Sequence, residues 1–489
     1  MKPAWRRSGA SASRTLAALL LLLAATLSGC ASGGGEEECP AAASCVPPLM
    51  RGYTTVDDPM PHGDGHDHAD PAQHRLARNA TLLAVDDLRR FGWTETTVVG
   101  AHALARHGDL LAVAVNGGRD GSQQGFHLFD VSVADAPRHL GMFEAGVSVA
   151  GDRTIAFSHD GRTVFLGYEG AARPGVAAVD VSDPSRPRET HFWRDPQGFG
   201  SHTVSAGTID GVQHVFSLAA GINILRYDPS GFQLVGKYVT ADGLGFLDAP
   251  GSSTGIQTYV LRSLYGHDMD FYLDAVTGKP LLLVAYAYDG AKILDLSVPS
   301  APVLQARWRP PPAADHAHYT HSAVAERSSD GRLLWVVGSE TFEQENQGIA
   351  SPIWILDATD AVAAPPLAAA PEHLATWRNP GGSPAGHLGS SVHFFRLQQG
   401  LLYLSHYHGG IWAFDLRDSG AWRDVRAFGH ILPVGPDPVA PPEGCCINYD
   451  LGRVPMVFDV EAGAEPGVAY GADLVQGLSV VRFDVPAGA

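Results

Sequence analysis

Residues 292–302 read Lys292-Ile-Leu-Asp295-Leu-Ser-Val-Pro-Ser-Ala-Pro302. An apolar run ends on an aspartate, and a Ser/Pro turn follows. The run has the composition of a strand and the turn stops it. The phrase recurs as Phe126-His-Leu-Phe-Asp130, Val176-Ala-Ala-Val-Asp180, Ile222-Asn-Ile-Leu-Arg-Tyr-Asp228, Ile353-Trp-Ile-Leu-Asp357, Ile411-Trp-Ala-Phe-Asp415 and Ser479-Val-Val-Arg-Phe-Asp484. Seven copies span 354 residues from Asp130 to Asp484, which over six intervals averages 59. A period of this size marks an array of equal structural units.

Each phrase follows another apolar run, such as Leu111–Val115, Leu281–Tyr288, Leu333–Val337 or Leu401–Leu404. A further strand precedes that run across a tight turn, as at Asp160-Gly161, Thr277-Gly278 and Asp330-Gly331. A short strand follows the phrase, as at Arg138–Phe143, Glu189–Trp193 and Val303–Trp308. Four strands per unit and seven units predict an all-β, seven-bladed β-propeller over residues 78–489. The recurring aspartates are expected to accept hydrogen bonds from turn N–H groups, one per blade. The last blade lacks a fourth strand at the chain end. Phe91-Gly-Trp-Thr-Glu-Thr96 is the expected fourth strand, closing the ring from the N-terminal side.

The turns Asp180-Val-Ser-Asp-Pro-Ser-Arg-Pro187 and Asp295-Leu-Ser-Val-Pro-Ser-Ala-Pro302 resemble the bacterial LVIVD-repeat proteins, and Asp130-Val-Ser-Val-Ala-Asp-Ala-Pro137 is close. The copies at Asp228, Asp357, Asp415 and Asp484 depart from that pattern in the turn. The resemblance implies a propeller and a cell-surface setting.

Residues 1–29 read as an export signal. Lys2, Arg6, Arg7 and Arg14 form a positive start, and Leu16–Leu27 an apolar core too short to span a bilayer. Leu27-Ser28-Gly29-Cys30 resembles a lipobox, which implies lipidation at Cys30. A multiply acylated cysteine holds a protein on a membrane stably. By analogy with lipoprotein sorting in double-membrane bacteria, Ala31 after the cysteine favours the outer membrane. Residues 30–77 then form a flexible tether, with Gly33-Gly-Gly35, Glu36-Glu-Glu38 and the tract His62-Gly-Asp-Gly-His66-Asp-His68 followed by His74. That tract is a solvated spacer or a metal-binding stretch.

The net charge is −18, and −22 without the four signal cations. An acidic surface argues against nucleic acid as a partner. Glycine 56 and proline 34 among 489 residues favour turns over long helices. Apart from Cys30, the cysteines are Cys39, Cys45, Cys445 and Cys446. An even number outside the cytoplasm favours disulfides, with three connectivities open; metal binding at Cys445-Cys446 is the alternative.

If strands A to D run outward from the axis, the A–B and C–D turns share one face and are short. The other face carries long segments: Thr240–Gly266, Arg309–Tyr319, Glu340–Ser351, Asn379–Gly389 and Pro433–Asp450. Long loops on a rigid ring mark a functional face. Histidines concentrate there. His202, His267, His321 and His393 stand near the starts of A strands, with His102 and His387 next. His318, His406 and His408 belong to the same face, and Asp268, Asp270 and Asp289 are candidate carboxylates. Imidazoles from several blades at one register point to a transition metal, Zn, Cu or Fe.

His318-x-x-His321 and Gly266-His267-Asp268 are similar to phrases of the selenium-binding protein/methanethiol oxidase propellers. Carotenoid cleavage oxygenases use four channel histidines on iron by comparable logic. No Ser-His-Asp motif, phosphate loop or HExxH is present. Two functions remain open. One is a membrane-anchored binding or scaffold module whose long-loop face meets a protein, glycan or envelope component. The other is a metal-dependent oxidoreductase or hydrolase at the channel mouth.

Overall fold

The computed structural model describes residues 77–88, 99–117, 124–147, 153–169, 172–218, 221–239, 266–311, 318–340, 351–379, 391–407, 409–433, 456–474 and 476–487. Seven antiparallel sheets account for nearly all of them. The chain is a seven-bladed β-propeller. In each of blades 1 to 6 four successive strands pair in sequence order, and the seven recurring phrases form the C strands. The A strands begin at Val99, Ile155, Thr203, Asp268, Tyr319, Phe395 and Val457. Each contacts the next, and Val457–Ala462 of blade 7 contacts Val99–His107 of blade 1, so the ring is closed.

Closure has a physical cause. The C strands read as almost fully buried, for example Ile411–Asp415 and Pro352–Asp357. A sheet apolar on both faces needs a partner on both sides. The seven large hydrophobic clusters obey this rule: each lies between two neighbouring blades. The last of them joins blade 7 to blade 1 through Leu104, Val113, Tyr470 and Val480.

The strand that completes blade 7 is Ala80–Asp86, which pairs with Gly477–Phe483. This corrects the expectation for residues 91–96, which lie outside the described residues. Threading blade 7 from the N-terminal side is as expected; the segment differs. Ala80-Thr-Leu-Leu-Ala-Val-Asp86 supplies a strand-length apolar run. Just before it, Ala77–Arg78 adds a fifth strand to blade 6. Asn79 turns the chain from one blade to the next with φ of 51° and donates from Nδ2 to the Phe428 carbonyl at 2.6 Å.

The recurring aspartates cap their turns. Asp130, Asp180, Asp228, Asp295 and Asp357 accept from the N–H two residues on at 2.8–3.0 Å, and Asp415 at 3.2 Å. Ser132 and Arg138 together hold the Asp130 carboxyl down at about 2. The proline turn then seats on the preceding blade. A Cβ on Gly141 would stand 2.2 Å from the Pro184 carbonyl oxygen, and one on Gly236 would stand 2.0 Å from that of Pro299. Both glycines sit where the C–D pairing shifts register, a shift found in all seven blades. A bulge twists the outer strand, and the missing side chain admits the next blade's turn.

The hub is filled by charge. Arg153 stands just before the A strand of blade 2. It donates to Asp268 of blade 4 at 3.1 Å, to the Phe395 carbonyl of blade 6 at 3.3 Å and to Asp459 of blade 7 at 3.5 Å. Its guanidinium lies 4.4 Å from the Phe394 ring centre. Asp459 also accepts from Leu104 N of blade 1 at 2.9 Å. Arg396 donates to Glu461 at 2.9 Å. Burial opposes the Arg396 charge, but Glu461, Asp270 and Asp459 outweigh it and hold its pKa above the usual value. Burial raises Asp268, and Arg153 works against that rise.

Two outcomes test this architecture. Deleting residues 1–86 exposes the edge of Gly477–Phe483; an unchanged melting temperature and a monomeric elution profile would contradict the closure. Arg153→Ala removes the ion-pair partner of two buried carboxylates and is expected to cost about 3–5 kcal/mol in denaturant unfolding. A loss under about 1 kcal/mol would show that the hub charges are not coupled to folding.

Candidate functional site

One position at the hub end of each blade faces its neighbours around the axis. In blades 3, 4 and 6 it is held by a shared backbone register. His202, His267 and His393 each donate their N–H to the carbonyl of the last B-strand residue, Leu218, Ala285 and Ser405, at 2.7–3.0 Å. In blade 5 the position is a bulge: His321 falls between Thr320 and Ser322 in the A–B pairing. His102 in blade 1 and Phe458 in blade 7 occupy the same kind of bulge.

Blades 3 to 6 are consecutive, so four imidazoles form an arc. His202 and His267 have ring centres 4.7 Å apart, His267 and His321 3.9 Å, and His321 and His393 4.2 Å. His321 is fully buried, and His202 is the most open of the four, with 12% of its side chain exposed.

The outer ring nitrogens fix the tautomers. His202 Nδ1 donates to the Glu169 carboxylate at 2.9 Å. His321 Nδ1 lies 3.1 Å from the His393 carbonyl oxygen and 2.9 Å from Ser322 Oγ. His393 Nδ1 donates to the Phe458 carbonyl at 2.6 Å. Carbonyl and carboxylate oxygens only accept, so Nδ1 carries the proton in each neutral ring. Nε2 is then left as the lone-pair donor. This is the outer-shell pattern that orients histidine ligands.

Glu340 completes the group. Its Oε2 lies 3.6 Å from His321 Nε2, and 3.6 Å is too long for a hydrogen bond. His202 Nε2 and His267 Nε2 lie 3.4 Å apart. Two ligands on one tetrahedral ion with bonds of about 2.1 Å stand about 3.4 Å apart. Ligand atoms of His267, His321 and Glu340 all lie within 4.8 Å of one another. Imidazole nitrogen with one carboxylate oxygen is a donor set suited to Zn and Fe(II). His267, His321 and Glu340 could therefore hold a transition metal.

The other expected candidates lie elsewhere. His102 faces the Gly100 carbonyl at 3.2 Å and Thr154 Oγ1 at 3.4 Å. His318 packs edge-on to Trp354, with ring centres 4.9 Å apart. His406 is fully buried near Trp377, and burial lowers its pKa to about 4. Asp268 is committed to Arg153, and Asp289 to Lys292 and Arg309. His387, His408, Cys30, Cys39, Cys45, Cys445 and Cys446 lie outside the described residues. So do most of the long segments read as the loop face, namely 240–265, 312–317, 341–350, 380–390 and 434–455.

Sequence reading missed Glu340, Glu169 and Tyr407. The sequence reads Glu340 as the start of the segment Glu340–Ser351. The pairing Tyr319↔Glu340 puts it in the B strand instead, opposite the A-strand start. The signal available was the uninterrupted run Leu333-Leu-Trp-Val-Val-Gly-Ser-Glu340, whose last residue falls at the hub end.

No family model matches the chain. No curated protein matches it. Among solved structures, a periplasmic gluconolactonase of Pseudomonas aeruginosa is similar, with a TM-score of 0.47 and 12% identity over 68% of this chain and 85% of that one.

Proposed function

We propose that this chain is an exported, metal-dependent propeller enzyme. His267, His321 and Glu340 hold one transition-metal ion at the hub mouth, and His393 and His202 flank it. The observation that carries the reading is the orientation of the imidazoles. His202, His321 and His393 spend Nδ1 on carboxylate or carbonyl oxygens, which leaves Nε2 as the lone-pair donor of each neutral ring. A metal there supplies Lewis-acid activation of water or of a substrate oxygen. The chain supplies the rest. Arg153 and its carboxylates fill the hub at the A strands, while His202 and Glu169 give the arc its more open side.

The described chain enters on the same face. Across blade 6 one row runs His393, Ser405, Ile411, Ile431 and Ala77. Ala77, where the described chain begins, thus lies at the rim of the imidazole-bearing face. Four strand spacings separate it from His393, about 19 Å. A lipid on Cys30, if the export reading holds, would tether the propeller to the outer membrane through the segment that precedes Ala77.

The purified soluble protein is expected to carry one equivalent of Zn or Fe by elemental analysis. His267→Ala with His321→Ala should lose it while keeping the β-sheet circular dichroism. If the wild type stays empty after reconstitution with Zn, Fe(II) and Cu(II), the metal reading fails, and a binding module meeting a protein, glycan or envelope component through this face is what remains. A clickable palmitate analogue should label the full chain and not Cys30→Ala; labelling of both would disprove the anchor.

A further inference from the structure

The turn between strands B and C is built the same way in blades 4 and 6. In blade 4, Tyr286 N donates to Gly290 O at 2.8 Å and Gly290 N to Ala287 O at 3.3 Å. In blade 6, His406 N donates to Gly410 O at 2.9 Å and Gly410 N to Tyr407 O at 3.1 Å. The second residue of each turn is left-handed, Ala287 at φ 47° and Tyr407 at φ 40°. Each also bridges to the start of the next blade, Ala287 to Thr320 and Tyr407 to Val457. Alanine therefore satisfies every backbone demand of this position. A tyrosine there brings a phenol that the turn does not require.

The phenol has a definite target. Tyr407 donates from its hydroxyl to Oε1 of Glu340 across the interface between blades 5 and 6. Its ring lies 4.8 Å from that of His393 at 31° and 5.6 Å from that of Phe458 at 29°. Both Tyr407 and Glu340 are buried, at 7% and 4% exposure. With Oε1 taken by the phenol, Glu340 presents Oε2 alone toward His321.

We infer that Tyr407 is a positioning residue that makes Glu340 a one-oxygen ligand and so keeps a coordination position open for substrate or water. This rests on the metal reading above. An unrestrained carboxylate can bind a cation through both oxygens, as in calcium sites. Holding one oxygen in a hydrogen bond opposes that mode, and such outer partners typically change metal affinity 10–100-fold.

The test titrates apo protein with Co(II) and reads both affinity and the visible absorption band, which reports coordination number. Tyr407→Phe keeps the ring and removes the hydroxyl. It is expected to bind Co(II) about 10–100-fold more weakly, with a weaker band of higher coordination. Tyr407→Ala reproduces the residue blade 4 already carries at this turn, so it tests the same loss without relying on how Phe packs. Wild-type affinity and spectrum in Tyr407→Phe overturn the proposal, even if Tyr407→Ala is impaired, because packing alone would then explain the residue. Absence of Co(II) binding by the wild type overturns the metal reading itself. Binding by the wild type that is lost in Glu340→Gln and weakened in Tyr407→Phe supports both.

Discussion

A guanidinium placed where seven sheets converge is the constraint on which the remaining structure turns. Arg153 reaches Asp268, Asp459 and the Phe395 carbonyl, which belong to three different blades. A charge buried this deeply is tolerated only with well-placed partners. Those partners exist only when blades 2, 4, 6 and 7 stand at fixed positions around one axis. The apolar clusters between blades would accept some sliding, because hydrophobic burial has no direction. The ion pairs would not. They convert a loosely defined stack of sheets into a hub with one geometry.

That geometry is what gives the imidazole arc its chemical meaning. His202, His267, His321 and His393 lie far apart in sequence, and each is placed by its own blade's backbone. Their mutual distances are set by the spacing of blades about the axis. The charged hub therefore acts on the site indirectly, by fixing that spacing. The same arrangement explains why His102 stands apart. Its blade holds the same bulge, but its neighbour blade 2 offers Thr154 and Arg153 instead of an imidazole.

The repeat was legible because its cause is local. A strand of apolar residues ending on Asp, then a turn whose N–H groups need an acceptor, is a complete physical unit within about eight residues. Six of the seven aspartates make the expected bond. The closing strand was less legible. Phe91–Thr96 and Ala80–Asp86 are both strand-length segments upstream of blade 1, and length and position do not choose between them. The choice lies in register. Asn79 must turn the chain over after blade 6, and the strand that pairs with Gly477–Phe483 begins at the next residue.

Sequence alone determined the architecture: strand period, blade number, closure from the N-terminal side and the end of the ring at which histidines gather. Those follow from patterns within each unit of about sixty residues. Only the tertiary structure decided which histidines form one arc and which carboxylate faces it. Among the candidate carboxylates Asp268, Asp270 and Asp289, Asp268 is taken by Arg153 from two blades away and Asp289 by Lys292 and Arg309. Glu340 faces the arc because the strand runs three residues beyond the apolar run Leu333–Val337. Contacts across the axis link residues more than a hundred positions apart, and no pattern along the chain encodes them.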